Sequence, residues 1–275
     1  MANPRGRNTL PLVITIAVAA LFFVVMPFAT WLCRIWVDFL WFADLGQKSV
    51  FLTRIGSELA IGAAFSAITF VVLYVNMRVA RRMAPRAVPV SVPDDIPEQF
   101  ALVLERLRGG MGPILDRAIL YGALVLAFLN GLGMAAQWKT FRLALASVPF
   151  GYTDPQYGKD VGFFVFTLPA YTALIDWALG VLVLTTFLTF VVHVADGAIQ
   201  PWARLKGFAP HVKAHLSVLL AFIVAVWGFQ YWVDIYKLDF SQTGQIIGAG
   251  YTDVHAQMPA YWILIGVSAI VAVAL

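Results

Sequence analysis

The chain has 275 residues, 61 % of them hydrophobic and only 12 % charged, with a mean hydropathy of +0.81; soluble globular proteins hold roughly 45–50 % apolar and about 25 % charged residues, so this composition describes an integral membrane protein. The net charge of +4 does not indicate a nucleic-acid partner, because the basic residues lie between apolar runs rather than in one stripe. A single cysteine, Cys33, excludes an intramolecular disulfide and any paired-cysteine metal site.

In chain order, Arg5 and Arg7 precede an uncharged run to Cys33 that is too long for the core of a cleavable leader, so residues 11–33 are read as a retained first span. Residues 34–56 mix Trp36, Trp41 and Phe42 with Asp38, Asp44 and Lys48 and are expected to lie on the membrane surface as a first outer loop. A second span over 57–76 ends at Arg78, Arg81, Arg82 and Arg86, which mark the cytoplasmic side by the positive-inside rule. The inner loop, 77–117, is first proline-rich. It then offers a short amphipathic helix capped by Asp94 or Asp95, with Phe100, Val103, Leu104 and Leu107 on one face and Gly109-Gly110 as its stop.

A third span, 118–136, leads to an outer loop, 137–168, that begins with an interfacial helix around Trp138, Phe141 and Leu145. A fourth span, 169–194, returns to an inner loop, 195–215, with Arg204, Lys206 and Lys213. The fifth, 216–233, leads to an outer loop, 234–258, and the sixth, 259–275, is cut short by the end of the sequence, since a crossing needs about 20 residues. Twelve of the nineteen basic residues fall on the inner side. The expected architecture is therefore all-α and polytopic: one membrane domain, 1–275, of six spans in three outward-connected hairpins, with interfacial helices and a cytoplasmic N-terminus.

A tetrapeptide repeats. Gly151-Tyr152-Thr153-Asp154 precedes Leu168-Pro169-Ala170-Tyr171, and Gly250-Tyr251-Thr252-Asp253 precedes Met258-Pro259-Ala260-Tyr261. Both copies stand in outer loops ahead of a descending span, which reads as a duplicated device for starting a helix and relates the second and third hairpins. Asp154, Asp160, Tyr251, Asp253 and His255 are the candidate site residues. Hard oxygen ligands from loops suit a divalent cation, and Asp253 with His255 offers an oxygen and a nitrogen; the preferred reading is that each Asp caps a turn or helix. No catalytic motif or cofactor signature is found, and no metal site is assigned.

The six span centres carry no ionisable residue, whereas a coupled pump would bury some there; Glu58, Asp116, Asp176, His193 and Asp196 all fall near span ends. Asn130, in Asn-Gly-Leu-Gly, is read as a hydrogen bond between closely packed helices.

The stretch from Phe150 to Pro169, together with Gly248 to Pro259 and with Leu40-Trp41-Phe42 and Val50-Phe51, resembles the UPF0182 family of uncharacterised bacterial membrane proteins. The resemblance implies a bacterial inner-membrane protein with seven N-terminal spans followed by a large exported domain. This sequence stops within the sixth span. The expected partners are the lipid bilayer and either that exported domain or a cell-envelope component, and the expected role is a membrane scaffold. A transporter or channel for an apolar or lipid-like substrate is the second reading, and an envelope enzyme with a metal in its outer loops the third.

Overall fold

The computed structural model describes residues 21–83, 98–196, 198, 209–242 and 247–275, with positions 15, 18 and 19 before them; side chains of the stretch 98–112 are not among those described. The described residues form seven α-helices: α1 (Met26–Asp44), α2 (Lys48–Met83), α3 (Glu98–Ala135), α4 (Trp138–Leu145), α5 (Leu168–Ala195), α6 (Pro210–Lys237) and α7 (Met258–Ala274). There is no strand among the described residues beyond one isolated bridge, Thr153 with Asp160. Six helical segments among the described residues, which include the turns flanking some of these helices, are long and apolar enough to cross a membrane: Leu21–Asp44, Lys48–Met83, Pro113–Ala135, Phe163–Ala195, Pro210–Phe240 and Asp253–Ala274. At about 1.5 Å per residue, the 36 residues of α2 exceed a hydrocarbon core of about 30 Å, so one crossing does not use the whole helix.

The chain divides into two compact units, residues 1–57 and 58–275. In the first, α1 continues to Asp44, well into what the sequence suggests is a surface piece over 34–56, and the rest of that piece is a turn at 45–47 and the first turns of α2; the apolar candidate span is Leu21–Asp44. Asp38 is tolerated in that helix because Arg54, sixteen residues on, pairs with it at 3.5 Å. Phe51 packs against Phe39 and Phe42.

In the second unit neighbouring helices alternate in direction. The pairs Thr69–Asn130 and Arg78–Asp116 make α2 and α3 antiparallel. His193–His215 and Tyr171–Trp232 do the same for α5 and α6, and Tyr231–Tyr261 and Gly228–Ser268 for α6 and α7. One end of the bundle therefore collects the C-terminal turns of α2 and α5, the Asp116 region of α3 and the start of α6; it is called the basic end below. The other, the loop end, carries α4, the loop 146–162 and residues 247–257. Leu73, Met77 and Ala80 of α2, Ile119 and Ala123 of α3 and Val192 of α5 form the core towards the basic end.

Two small-residue pairs bring α2 and α3 close. Gly62 and Ser66 face Gly131 and Ala135, a spacing of four that lays small side chains one above another. Asn130 then joins three helices, its Oδ1 accepting from Thr69 Oγ1 of α2 at 2.9 Å and Trp177 Nε1 of α5 at 2.7 Å, as its place in the sequence suggests.

Gly109-Gly110 does not stop a short helix: α3 continues from Glu98 through both glycines and Pro113 to Ala135. Glycine costs a helix only about 1 kcal/mol relative to alanine and does not by itself end one, and Pro113 removes a single hydrogen bond, which the long apolar segment after it outweighs. The expected cap at Asp94 or Asp95 lies outside the described residues, as do Arg5, Arg7, Arg86, Arg204 and Lys206.

Three helices begin with a residue followed by proline, and each is preceded by a five-residue π turn: Leu21–Val25, Phe163–Thr167 and Asp253–Gln257. The N–H groups of Leu168 and Met258 reach back to the carbonyls of Phe163 and Asp253. Proline lacks an N–H and its ring crowds the carbonyl four residues earlier; widening the turn by one residue relieves that crowding.

Candidate functional site

The two copies of Gly-Tyr-Thr-Asp occupy different local structures. The second stands at a helix start: Asp253, 1 % exposed, accepts the Gly250 N–H on Oδ2 at 3.0 Å and opens the π turn before α7. The first stands nine residues further from its helix, in a loop, so it is not a helix-starting device. Gly151 there has φ +78°, a conformation that favours glycine. Asp154 accepts the N–H groups of Gln156 and Tyr157 on Oδ1, at 2.9 and 2.6 Å, and closes a turn in which its own N–H donates to the Lys159 carbonyl.

Asp160 does most to hold this loop. Its Oδ1 accepts from the Phe150 and Gly162 N–H groups at 3.0 and 2.7 Å, and Oδ2 from Gly151 at 2.9 Å. The N–H of Phe150, then that of Gly162 and of Gly151, hold its pKa below the ordinary 3.8. Because the folded value lies below the unfolded one, this tether is fully present above pH 3.8 and is lost as pH falls through the folded value. Asp160→Asn, which turns an N–H donor towards backbone N–H groups, is expected to lower the amide-exchange protection of Phe150, Gly151 and Gly162 at neutral pH. Unchanged protection, read by hydrogen exchange, would show that the tether is not what orders the loop.

Tyr157 anchors the loop to α6 by donating to the Ile235 carbonyl at 2.7 Å. Burial, followed by the negative charges of Asp239, Asp154 and Asp253, pushes its phenol up to about 12. Asp154 and Asp253 therefore share one electrostatic neighbourhood around Tyr157, with each carboxylate turned to backbone N–H groups. Tyr251 is exposed and stacked on His255, their ring centres 4.0 Å apart, while His255 Nδ1 lies 3.0 Å from the Tyr251 carbonyl. No group of three His, Cys, Asp or Glu side chains able to hold a metal ion occurs among the described residues.

A second constellation, which the sequence does not announce, lies at the basic end. Arg81 bridges two helices: its Nε reaches Asp116 Oδ1 at 3.3 Å, and its terminal nitrogen pairs with Asp196 Oδ1. Arg78 also meets Asp116, at 2.9 Å. Beside them runs a chain of side chains. His193 Nε2 is 3.3 Å from His215 Nδ1, His215 Nε2 is 3.2 Å from Asn76 Oδ1, and Asn76 Nδ2 donates to the Val72 carbonyl at 2.7 Å. Among the described residues five buried side-chain polar atoms have no hydrogen-bond partner, and four are here: Thr189 Oγ1, His193 Nδ1, Asp196 Oδ2 and His211 Nε2. Thr189, His193 and the C-cap residue Asp196 stand at i, i+4 and i+7, which places them along one stripe at the end of α5.

Over residues 13–275 the sequence matches the uncharacterised protein family UPF0182. The chain belongs to the UPF0182 family. It is 33 % identical to a UPF0182 protein of Bradyrhizobium diazoefficiens over 279 residues, covering 98 % of this chain and 29 % of that protein. It is equally similar, at 33 %, to UPF0182 proteins of Rhodococcus erythropolis over 277 residues and of Cupriavidus necator over 243, covering 98 % and 86 % of this chain but 27 % and 25 % of theirs. No solved structure matches. This UPF0182 chain thus spans less than a third of the length of these relatives. In it, the spacing of Thr189, His193 and Asp196, and of His211 and His215 one turn apart, is the signal that places the basic-end residues together. Reading the arginines as markers of sidedness passes over their carboxylate partners.

Proposed function

We propose that this chain is the membrane scaffold of a bacterial inner-membrane protein, with its basic end in the cytoplasm and its loop end seating the portion of the longer UPF0182 chains that lies beyond the matched region. The observation that carries this reading is a surface held in shape yet uncovered. The loop 146–162 is fixed by Asp154, Asp160 and Tyr157, and at the same end Leu145, Tyr152 and Tyr251 are 83, 77 and 79 % exposed, with Val148 and Ile247 also exposed. Ordering a surface before binding lowers the entropic cost of docking, and exposed aromatic anchors are the residues that dominate interfaces. The relatives' extra length supports an occupant carried on the same polypeptide. The arginines at the basic end, Arg78, Arg81 and Arg82, support its cytoplasmic placement.

Photocrosslinking residues substituted at Tyr152 and Tyr251 in a full-length chain, in native membranes, test the reading. The expected result is adducts to an exported polypeptide, mapped by mass spectrometry to residues beyond the matched region. Adducts to lipid alone would overturn it.

A second reading, transport of an apolar or lipid-like molecule, is favoured by one observation. An apolar pocket of about 390 Å³ lies between α6 and α7, lined by Ala225, Gly228, Phe229, Trp232, Ile265 and Ala269. Loss of flux in proteoliposomes on filling it by Gly228→Leu, in a chain that still folds, would favour that reading over the scaffold.

A further inference from the structure

The bonds of the basic-end chain fix its polarity. Asn76 Nδ2 is committed to the Val72 carbonyl, so Asn76 Oδ1 faces His215 and can only accept; His215 Nε2 must therefore carry a proton. With His215 neutral, its Nδ1 is an acceptor, and His193 Nε2 must supply the proton between the rings. That leaves His193 Nδ1 with a lone pair, on a side chain that is 0 % exposed and without a partner. Such an atom costs stability unless something donates to it, and on the same stripe Thr189 Oγ1 and Asp196 Oδ2 are buried without partners too.

We propose that His193 and His215 form a two-ring proton-accepting site, loaded at His193 Nδ1 and holding its charge on His215. In the loading step a proton delivered by hydronium bonds to His193 Nδ1. The His193 Nε2–H bond breaks as that proton passes to His215 Nδ1. His215 becomes an imidazolium with N–H groups at both nitrogens, one donating to Asn76 Oδ1 and one to His193 Nε2. His193 is neutral again, its proton now on Nδ1, and one proton and one positive charge have been gained. The unpartnered end of the chain thereby changes from acceptor to donor, and the acceptors on its stripe are Thr189 Oγ1 and Asp196 Oδ2. Two imidazoliums with facing nitrogens 3.3 Å apart repel, so the pair takes up one added proton, not two. Of the charged and titratable groups at this end, His211 from α6 acts on His193; Arg78 and Arg81 from α2, Asp116 from α3 and Asp196 just after α5 are paired with one another. This inference is independent of the scaffold reading.

Nitrogen-15 spectra of the histidine-labelled chain in lipid nanodiscs test it, and the chain has only four histidines, 193, 211, 215 and 255, to assign. At pH 8, His193 and His215 are both expected to carry their proton on Nε2. On acidification both are expected to change at one midpoint, His193 moving its proton to Nδ1 while His215 becomes charged. Asn76→Asp, which sets a carboxylate against His215 Nε2, is expected to raise that midpoint by about one pH unit, a tenfold gain in proton affinity. His193→Gln is expected to leave His215 titrating as a single ring, which keeps the test usable if the Asn76→Asp variant misfolds. A proton on His193 Nδ1 at pH 8, midpoints more than a unit apart, or two unchanging rings down to pH 4 with the helical spectrum intact, would each overturn the proposal.

Discussion

Arg81→Met is expected to destabilise the folded chain by about 3 kcal/mol, towards the lower end of what breaking a buried ion pair costs. Arg81 and Asp196 are 20 and 8 % exposed at their side chains, so removing the guanidinium leaves the Asp196 carboxylate uncompensated in a largely buried position. Asp116, 44 % exposed, recovers hydration and contributes the smaller share. Charge alone does not restore the site. Arg81→Lys keeps the charge but replaces a planar fork by one ammonium, which cannot span Asp116 and Asp196 with the same geometry, so a partial loss is expected. Arg81→Met with Asp196→Asn, which removes both charges, is expected to regain most of what Arg81→Met alone loses. Thermal unfolding in lipid nanodiscs, followed by far-UV circular dichroism, reads all three. If Arg81→Met unfolds at the parent temperature, the bridge adds nothing to stability, and the basic-end arginines serve sidedness alone.

How much of this was legible beforehand depended on whether the feature is local in sequence. Six apolar runs could be counted, because crossing a bilayer demands about 20 apolar residues and nothing else in a chain looks like that. Asn130 was legible as a helix-to-helix contact, since an amide among apolar residues and glycines needs a partner on a neighbouring helix. Membership of UPF0182 was legible from the two long outer motifs. The end of α1 was not: Asp38 reads as a headgroup-level charge until Arg54 is seen beside it, and that pairing depends on how the chain turns at residues 45–47. The tetrapeptide repeat misled for a related reason. Its copies are ninety-nine residues apart while the two Pro-Ala-Tyr copies are ninety apart, so matching letters do not match structural positions. What aligns the two helix starts is the π turn before each proline, and Asp160, not Asp154, stands where Gly250 stands in the second copy. The histidine chain was the least legible part. His193, His215 and Asn76 lie on three helices, and only the rotation of each helix about its axis brings them into line.

Gly131→Ala is expected to disrupt the seam between α2 and α3, although alanine is the better helix former by about 1 kcal/mol. A Cβ at residue 131 would fall 1.8 Å from Ser66 Oγ and 2.5 Å from the Gly62 carbonyl oxygen. Ser66 can rotate its hydroxyl away, but the carbonyl belongs to the backbone of α2 and cannot move without the helix. The helices must therefore separate locally, and the bonds that Asn130 accepts from Thr69 and Trp177, one residue along, lengthen with them. Overpacking of this kind costs about 1–3 kcal/mol, which outweighs the gain in propensity. Two comparisons separate sterics from other causes. Gly133→Ala, on the same helix with nothing within 4 Å of its Cβ, is expected to be neutral or slightly stabilising. Gly131→Ala in a Ser66→Ala background is expected to remain destabilised, because the Gly62 carbonyl is still in the way. Unfolding midpoints in nanodiscs decide it: a Gly131→Ala variant as stable as Gly133→Ala would mean that α2 and α3 do not meet at this spacing. The close approach would then not be what sets Asn130 between its two donors.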